Sequence, residues 1–152
     1  MKSSIDSPDD LGRTAREIVT RSVAAVGLAG IALIHLLDSL GKFQETPYMG
    51  WMYVGLMVSS LAVAATLVHT HSREAWLATI ALPASAIVGF VLTRTTGLPQ
   101  AKGDIGNWSE PLGLAALFVE GAVIAVAGYA LAALHPVGMF ARQARVSFAG
   151  AR

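Results

Sequence analysis

Four polar side chains recur at helical spacing within the first apolar segment of the chain: His35, Asp38, Ser39 and Lys42. Intervals of three, four and seven residues place them on one face of a helix. An imidazole and a carboxylate on that face could bind a small polar ligand, an ion or a proton. Two structural interpretations stay open, since Asp38 and Lys42 could form only an ion pair and His35 could bond only to a carbonyl.

A carboxylic acid, Glu120, lies about three turns into the last apolar segment, near the middle of a membrane. An ionisable group at that depth costs about 2.5–3.5 kcal/mol on insertion scales, so it should face the protein interior and have a partner. We expect a functional carboxyl group there. A purely structural pair of Glu120 with Arg94 or with His35 is the alternative.

The longest polar interruption, residues 94–113, contains the segment that we call the outer loop, residues 94–110. Its glycines and prolines fix backbone bends, which predicts an ordered lid with a positive φ at one or more of Gly97, Gly103 and Gly106. Ser109 is predicted to cap the next helix. With the lid above the polar face, the sequence predicts one outward-opening pocket. Its candidate ligand-binding residues are His35, Asp38, Arg94, Asp104, Glu110 and Glu120.

The cofactor and the metal, if any, are left open by the sequence. The chain has no cysteine, which excludes disulfides and thiolate sites. Met49 and Met52 could be soft copper ligands beside His35, with packing as the alternative. A haem held between helices usually takes two histidines deep in the bundle. Only His35 is placed that way, so haem is not expected. No catalytic residue is assigned, and a binding protein is favoured over an enzyme.

Composition indicates a membrane protein, because 54% of the 152 residues are hydrophobic and 14% are charged, against about 25% charged in a soluble domain. Each apolar segment has close to the ~20 residues that a helix needs to cross a bilayer. We therefore predict an all-α integral membrane four-helix bundle, a single domain over 1–152. Its predicted membrane helices are 22–41, 48–68, 75–93 and 111–134.

The remaining segments are assigned by charge. Residues 1–21 begin with a helix-start signal at Ser7-Pro8 and predict a basic amphipathic helix on the membrane surface or, alternatively, a solvated helix leading into the first span. Small residues are predicted to bring the helices together. They are Gly27 and Gly30 on the first helix, Ala81, Ser85 and Gly89 on the third, and Gly121, Ala125, Gly128 and Ala132 on the fourth.

A resemblance to small four-span bacterial membrane proteins of unassigned function covers about residues 25–134. It is carried by Gly41-Lys42-Phe43, Glu45-Thr46-Pro47-Tyr48, Gly50-Trp51, Gly97-Leu98-Pro99, Asp104-Ile105-Gly106-Asn107-Trp108, Glu110-Pro111, Gly113 and Glu120-Gly121. It implies the four-helix fold and no activity. The His-containing first helix that ends in Gly-Lys-Phe is also similar to the DoxX group, which is linked to membrane redox complexes, although this chain has a longer third loop.

Two functions follow as expectations. In the first, the outward pocket binds a small ligand, ion or proton, with a quinone headgroup as one candidate. In the second, the chain is a non-catalytic accessory subunit of a larger membrane complex. The expected partners are the lipid bilayer and either other subunits or further copies of the chain. Nucleic acid is not expected, since the net charge is only +1.

Orientation follows from the basic residues, of which eight fall on one side and three on the other. The richer side holds Lys2, Arg13, Arg16, Arg21, Arg73, Arg142, Arg145 and Arg152; the poorer holds Lys42, Arg94 and Lys102. The positive-inside rule then places both termini, with the tail 135–152, in the cytoplasm of a bacterial inner membrane. The outer aromatic belt would then contain Tyr48, Trp51, Tyr53 and Trp108, and the inner belt Trp76.

This orientation is testable with reporter fusions at Ser3 and Ala149. Both fusions should report the cytoplasm, because the basic segments resist translocation. An alkaline phosphatase and a fluorescent reporter at each site give opposite signals. A periplasmic signal at either site would overturn the predicted orientation.

Overall fold

The computed structural model describes residues 8–70 and 72–134. Within these ranges the chain forms four long helices, which confirms the all-α bundle. They are α1 (Pro8–Glu45), α2 (Pro47–His69), α3 (Arg73–Thr95) and α4 (Pro111–Leu134), with a short 3₁₀ helix at Lys102–Asp104. All four are long and apolar enough to cross a membrane. The tail 135–152 and residues 1–7 lie outside the described residues.

The first helix is continuous for 38 residues, so the boundary predicted at residue 21 is absent. No proline or glycine lies between Gly12 and Gly27, and nothing in that stretch interrupts helical hydrogen bonding. At 1.5 Å per residue α1 is about 57 Å long, well beyond the ~30 Å of hydrocarbon. The amphipathic segment is therefore, from Pro8 onward, the first part of α1.

Arg21 fixes this extended part of α1 to the end of α2. Its guanidinium is buried and donates to the carbonyl oxygens of Leu67 at 3.2 Å and Thr70 at 2.9 Å, while Glu17 pairs with it at 2.8 Å. The last carbonyls of a helix have no partner within the helix, and a cation there also complements the helix dipole. Arg21 thus caps the carbonyl end of α2 from the neighbouring helix.

The helices follow one another around the bundle, and we call the end that carries the outer loop its outer end. α1 packs closely with α2 and α4, and α3 packs closely with α4, whereas α2 and α3 pack less closely. Apolar side chains fill the inner half. The buried core there consists of Ala24, Leu28, Ile31, Leu67, Ala75, Trp76, Val123, Ala127 and Ala130.

The small residues that were predicted to pack between helices are packed on α1 but exposed on α4. Gly27 and Gly30 pack against another helix, as predicted, and that helix is α4: Val123 lies where a Gly27 Cβ would be, and Val119 is 3.6 Å from a Cβ built at Gly30. On α4, however, Gly121 and Gly128 are exposed and a Cβ on either would meet nothing within 4 Å. The predicted contact through the α4 glycines is wrong within this chain.

The rotation of α4 explains that difference. Successive helical residues are about 100° apart, so the helix that turns Glu120 inward must turn Gly121 outward. Burial of Glu120 brings Ala116, Val123 and Ala127 to the same inward face. On α3, likewise, Ala81 and Ser85 are exposed rather than packed against a helix.

Gly27 and Gly30 provide a matched test of this packing. Gly27→Ala should lower the free energy of unfolding by about 1–3 kcal/mol, because the β-branched Val123 cannot move away without strain. Gly30→Ala should be neutral or stabilising by up to about 1 kcal/mol, because alanine is the better helix former. Equilibrium unfolding in mixed micelles measures both. Equal effects of the two substitutions would contradict the packing.

Candidate functional site

The inner limit of the site is formed by His35 and Glu120. They are 8% and 1% exposed. His35 Nδ1 donates to the Ile31 carbonyl at 2.9 Å, which leaves Nε2 as a hydrogen-bond acceptor in the neutral ring. Nε2 lies 3.9 Å from Glu120 Oε1, too far for a direct hydrogen bond. Among residues 8–70 and 72–134, Glu120 Oε1 has no hydrogen-bond partner.

Tyr53 and Asp38 form one side of the site. The Tyr53 ring meets the His35 ring edge-on, with centroids 4.9 Å apart and planes at 86°. Its hydroxyl group faces the Asp38 carboxylate. Tyr53 is half-buried and contacts the imidazole, so it has a role inside the bundle in addition to its predicted place near the membrane surface. Sequence reasoning missed this role, because a tyrosine near a membrane surface is usually interfacial.

The charged residues of the outer end form a connected chain of ion pairs. Lys42 Nζ lies 3.1 Å from Glu45 and 3.2 Å from Asp104, and Arg94 Nη1 lies 3.2 Å from Asp104. Arg94 also pairs with Glu110. Lys42 thus contacts two acids other than Asp38, so the ion pair of Asp38 with Lys42 is not formed.

Burial makes these pairs important. Arg94 is 4% exposed and Lys42 is 7% exposed, so each cation depends on its acidic partners in place of water. The Arg94 guanidinium also lies 4.7 Å from the centre of the Phe90 ring, within cation–π range. Asp104 joins α1 to α3 through these two cations, and Arg94 joins α3 to the start of α4. Glu120 has neither cation as a partner.

The outer loop is ordered, as predicted. Gly97 and Gly106 have φ of 73° and 79°, and Gln100 also has a positive φ of 63°. The Tyr48 hydroxyl group donates to the Pro99 carbonyl at 2.6 Å, and the Thr46 hydroxyl group donates to the Gln100 carbonyl at 3.3 Å. These bonds attach the loop to the start of α2.

Glycines near the starts of α2 and α4 leave room for aromatic rings of the preceding helices. A Cβ at Gly50 would lie 2.5 Å from the Phe43 ring, and a Cβ at Gly113 would lie 2.5 Å from the Phe90 ring. Phe90 in turn meets Trp108 of the outer loop at 6.1 Å. The close approach of these rings explains why a glycine lies shortly after the proline that begins each helix.

α4 begins at Pro111 as predicted, but the residue before it differs from the predicted cap by one position. The helix begins at Pro111, and the Leu114 amide donates to the Glu110 carbonyl at 3.0 Å. Glu110 rather than Ser109 therefore precedes the helix. Its side chain is occupied by Arg94.

All six candidate residues line one cavity at the outer end of the bundle. Its volume is about 170 Å³. An engineered cavity of about 150 Å³ in another protein binds benzene, so this one is large enough for a single six-membered ring. Apolar walls come from every helix and from the outer loop, including Met49, Leu56, Phe90, Leu98 and Leu117. The apolar core lies between this cavity and the inner end.

The donor set of the cavity suits a polar organic group. A ligand atom between His35 Nε2 and Glu120 Oε1 could bond to both, because an imidazole nitrogen accepts and a carboxyl group either accepts or donates. The described residues contain no group of three or more His, Cys, Asp and Glu that could hold a metal ion. Met49 and Met52 do line the cavity with His35, and copper binding through them stays a prediction.

Comparison of the chain with models of protein families, with curated proteins and with solved structures gives no match. The resemblance to four-span bacterial membrane proteins and to the DoxX group stays a prediction. The function of the candidate site therefore has to be inferred from its geometry alone.

Asp104→Asn should open the outer end. The substitution leaves Lys42 and Arg94 buried with one acidic partner each, and we expect a loss approaching ~3 kcal/mol in the free energy of unfolding. Trypsin should also cleave faster after the exposed Lys102.

Glu45→Gln is the matched control. It removes an acid from the same chain of ion pairs, but the Glu45 side chain is 66% exposed, so the loss should stay below about 1 kcal/mol. If both variants resist trypsin as well as the native protein and unfold alike, Asp104 does not hold the loop.

Proposed function

We propose that the chain is a membrane-embedded binding protein that takes a ring-sized polar headgroup into its outer cavity. The observation that carries the proposal is the pair of polar atoms at the inner limit of that cavity. Glu120 Oε1 is buried and unpartnered among the described residues, and it faces His35 Nε2 at 3.9 Å. A ligand atom placed between them would satisfy both.

The energetics support a ligand over a purely structural pair. A buried polar group without a hydrogen bond costs about 1–3 kcal/mol, and a structural pair would avoid that cost by direct contact. His35 cannot turn toward Glu120 freely, because its Nδ1 is bonded to Ile31 and its ring is held by Tyr53. The gap between the two groups is thus maintained by the bundle itself.

A quinone-type ring fits this chemistry among the candidate ligands. Its carbonyl oxygen accepts a hydrogen bond from a protonated carboxyl group, and the hydroxyl group of the corresponding quinol donates to an imidazole nitrogen. The ring would occupy the apolar space beside Phe90 and Leu56, both of which line the cavity. Binding is proposed without a reaction.

A second candidate function is that of an accessory subunit. The observation in its favour is the outward face of α4, where Gly121, Ala125, Gly128 and Ala132 are exposed. Small residues on a membrane helix permit close approach of another helix. Stoichiometric co-purification with other membrane proteins, without a bound small molecule, would favour this function.

The proposed orientation places the cavity toward the outside of a bacterial inner membrane, with both termini cytoplasmic. Two of the three basic residues at the outer end, Lys42 and Arg94, are buried in ion pairs with acids. The positive-inside rule counts basic residues during membrane insertion, so the asymmetry of eight against three supports this orientation whether or not these ion pairs form.

Glu120→Leu tests the binding function, because glutamine would keep a hydrogen-bond donor at this position. The probe is duroquinone, a benzoquinone without a hydrocarbon tail, and the measurement is its apparent Kd from the ligand-induced rise in Tm in detergent. Loss of the hydrogen bond from the carboxyl group to the quinone carbonyl should raise Kd about tenfold, equal to ~1.4 kcal/mol, with Tm of the free protein nearly unchanged.

Ser60→Ala is the matched control, because Ser60 is also buried, its hydroxyl group has no hydrogen-bond partner among the described residues, and it does not line the cavity. It should leave Kd unchanged. A large loss of stability in Glu120→Leu with no change in Kd would show that the carboxyl group is structural.

A further inference from the structure

The cavity reaches the surface of the bundle between α2 and α3. Met52 on α2 and Ser85 on α3 line it and are both exposed, with Met52 58% exposed. Gly89, one turn from Ser85, also lines it, and a Cβ there would meet nothing within 4 Å. The less close packing of α2 against α3 leaves this opening.

The opening lies at the depth of lipid chains. Met52 is five residues from the outer end of α2 at Pro47, and Ser85 is ten residues from the outer end of α3 at Thr95. At 1.5 Å per residue these positions are about 8 and 15 Å below the helix ends. With a hydrocarbon thickness of about 30 Å, the opening faces the outer half of the bilayer.

The route into the cavity from the aqueous side, in contrast, is covered by ion pairs and by the outer loop. The ion pairs of Lys42 and Arg94 with Asp104 close the outer end, and the hydrogen bond from Tyr48 to Pro99 holds the outer loop over it. A ligand that enters from the aqueous phase has to pass these charged side chains and the outer loop. A ligand that enters from the bilayer meets only side chains at the margin of the opening.

The margin of the opening suits a hydrocarbon chain. Met52 is a flexible, polarisable side chain that adapts to different apolar shapes. The Ser85 hydroxyl group donates to the Leu82 carbonyl of its own helix at 2.6 Å, so its donor is already satisfied. An alkyl chain beside these two residues would leave no hydrogen-bond donor unpaired, because Met52 has none and the donor of Ser85 is already used.

We infer that the ligand is a lipid-soluble amphiphile whose ring-sized polar headgroup occupies the cavity while its hydrocarbon tail passes between α2 and α3 into the outer leaflet. This inference rests on the proposed binding function and adds the class of ligand and its path. Met52 and Ser85 are then the residues that admit the tail, and Glu120 and His35 are those that hold the head.

Ser85→Leu narrows the opening at its margin, and Ala81→Leu is the matched control one turn further inward, exposed on the same face and outside the cavity. The probes are duroquinone and decyl-plastoquinone, which carries a decyl tail on a similar methylated ring. Apparent Kd for each is measured from the rise in Tm in the same detergent. Met52→Trp, which fills the opening from α2, is the second variant.

The native protein and Ala81→Leu should bind both probes. Ser85→Leu and Met52→Trp should weaken decyl-plastoquinone about tenfold or more relative to their effect on duroquinone, since a blocked tail overpacks the opening. Unchanged binding of the tailed probe, or equal loss of both probes, in these two variants would overturn the inference and leave the binding function standing. Failure of the native protein to bind either probe would overturn the binding function and the inference together.

Discussion

The burial of the Glu120 carboxyl group is the constraint on which the arrangement of α4 depends. A bilayer cannot accept a carboxyl group on the lipid side at that depth without large cost, so the helix turns it inward. That rotation brings Ala116, Val123 and Ala127 against the other helices and leaves Gly121 outside. α1 meets this face with two glycines and presents His35 opposite the carboxyl group.

At the outer end of the bundle, in contrast to Glu120, the charged side chains form ion pairs with one another. Two buried cations, Lys42 and Arg94, are shared among Glu45, Asp104 and Glu110. The residues come from α1, α3, the outer loop and the start of α4, so the chain of ion pairs closes the bundle above the cavity. His35 and Glu120, at the inner limit of the cavity, take no part in this chain of ion pairs and face one another.

The sequence was sufficient for the elements and for the set of side chains that meet in the cavity, because apolar length and helical spacing are local properties. It was insufficient for pairings across the fold. Helical spacing allowed Lys42 to pair with Asp38, whereas its partner Asp104 lies 62 residues away. Glu120 was correctly predicted to face the interior, but Gly121 and Gly128 were wrongly predicted to pack, since the rest of α4 is apolar all round and gives little rotational signal. The cap that Arg21 places on α2 has the same long-range character.

The most direct test is an experimental high-resolution structure of the protein purified in mild detergent, viewed at Glu120 and His35. The account predicts non-protein density the size of a single ring in the cavity, within hydrogen-bond distance of both Glu120 Oε1 and His35 Nε2. A direct hydrogen bond between these two side chains across a collapsed cavity would contradict it, as would a Glu120 side chain that faces lipid.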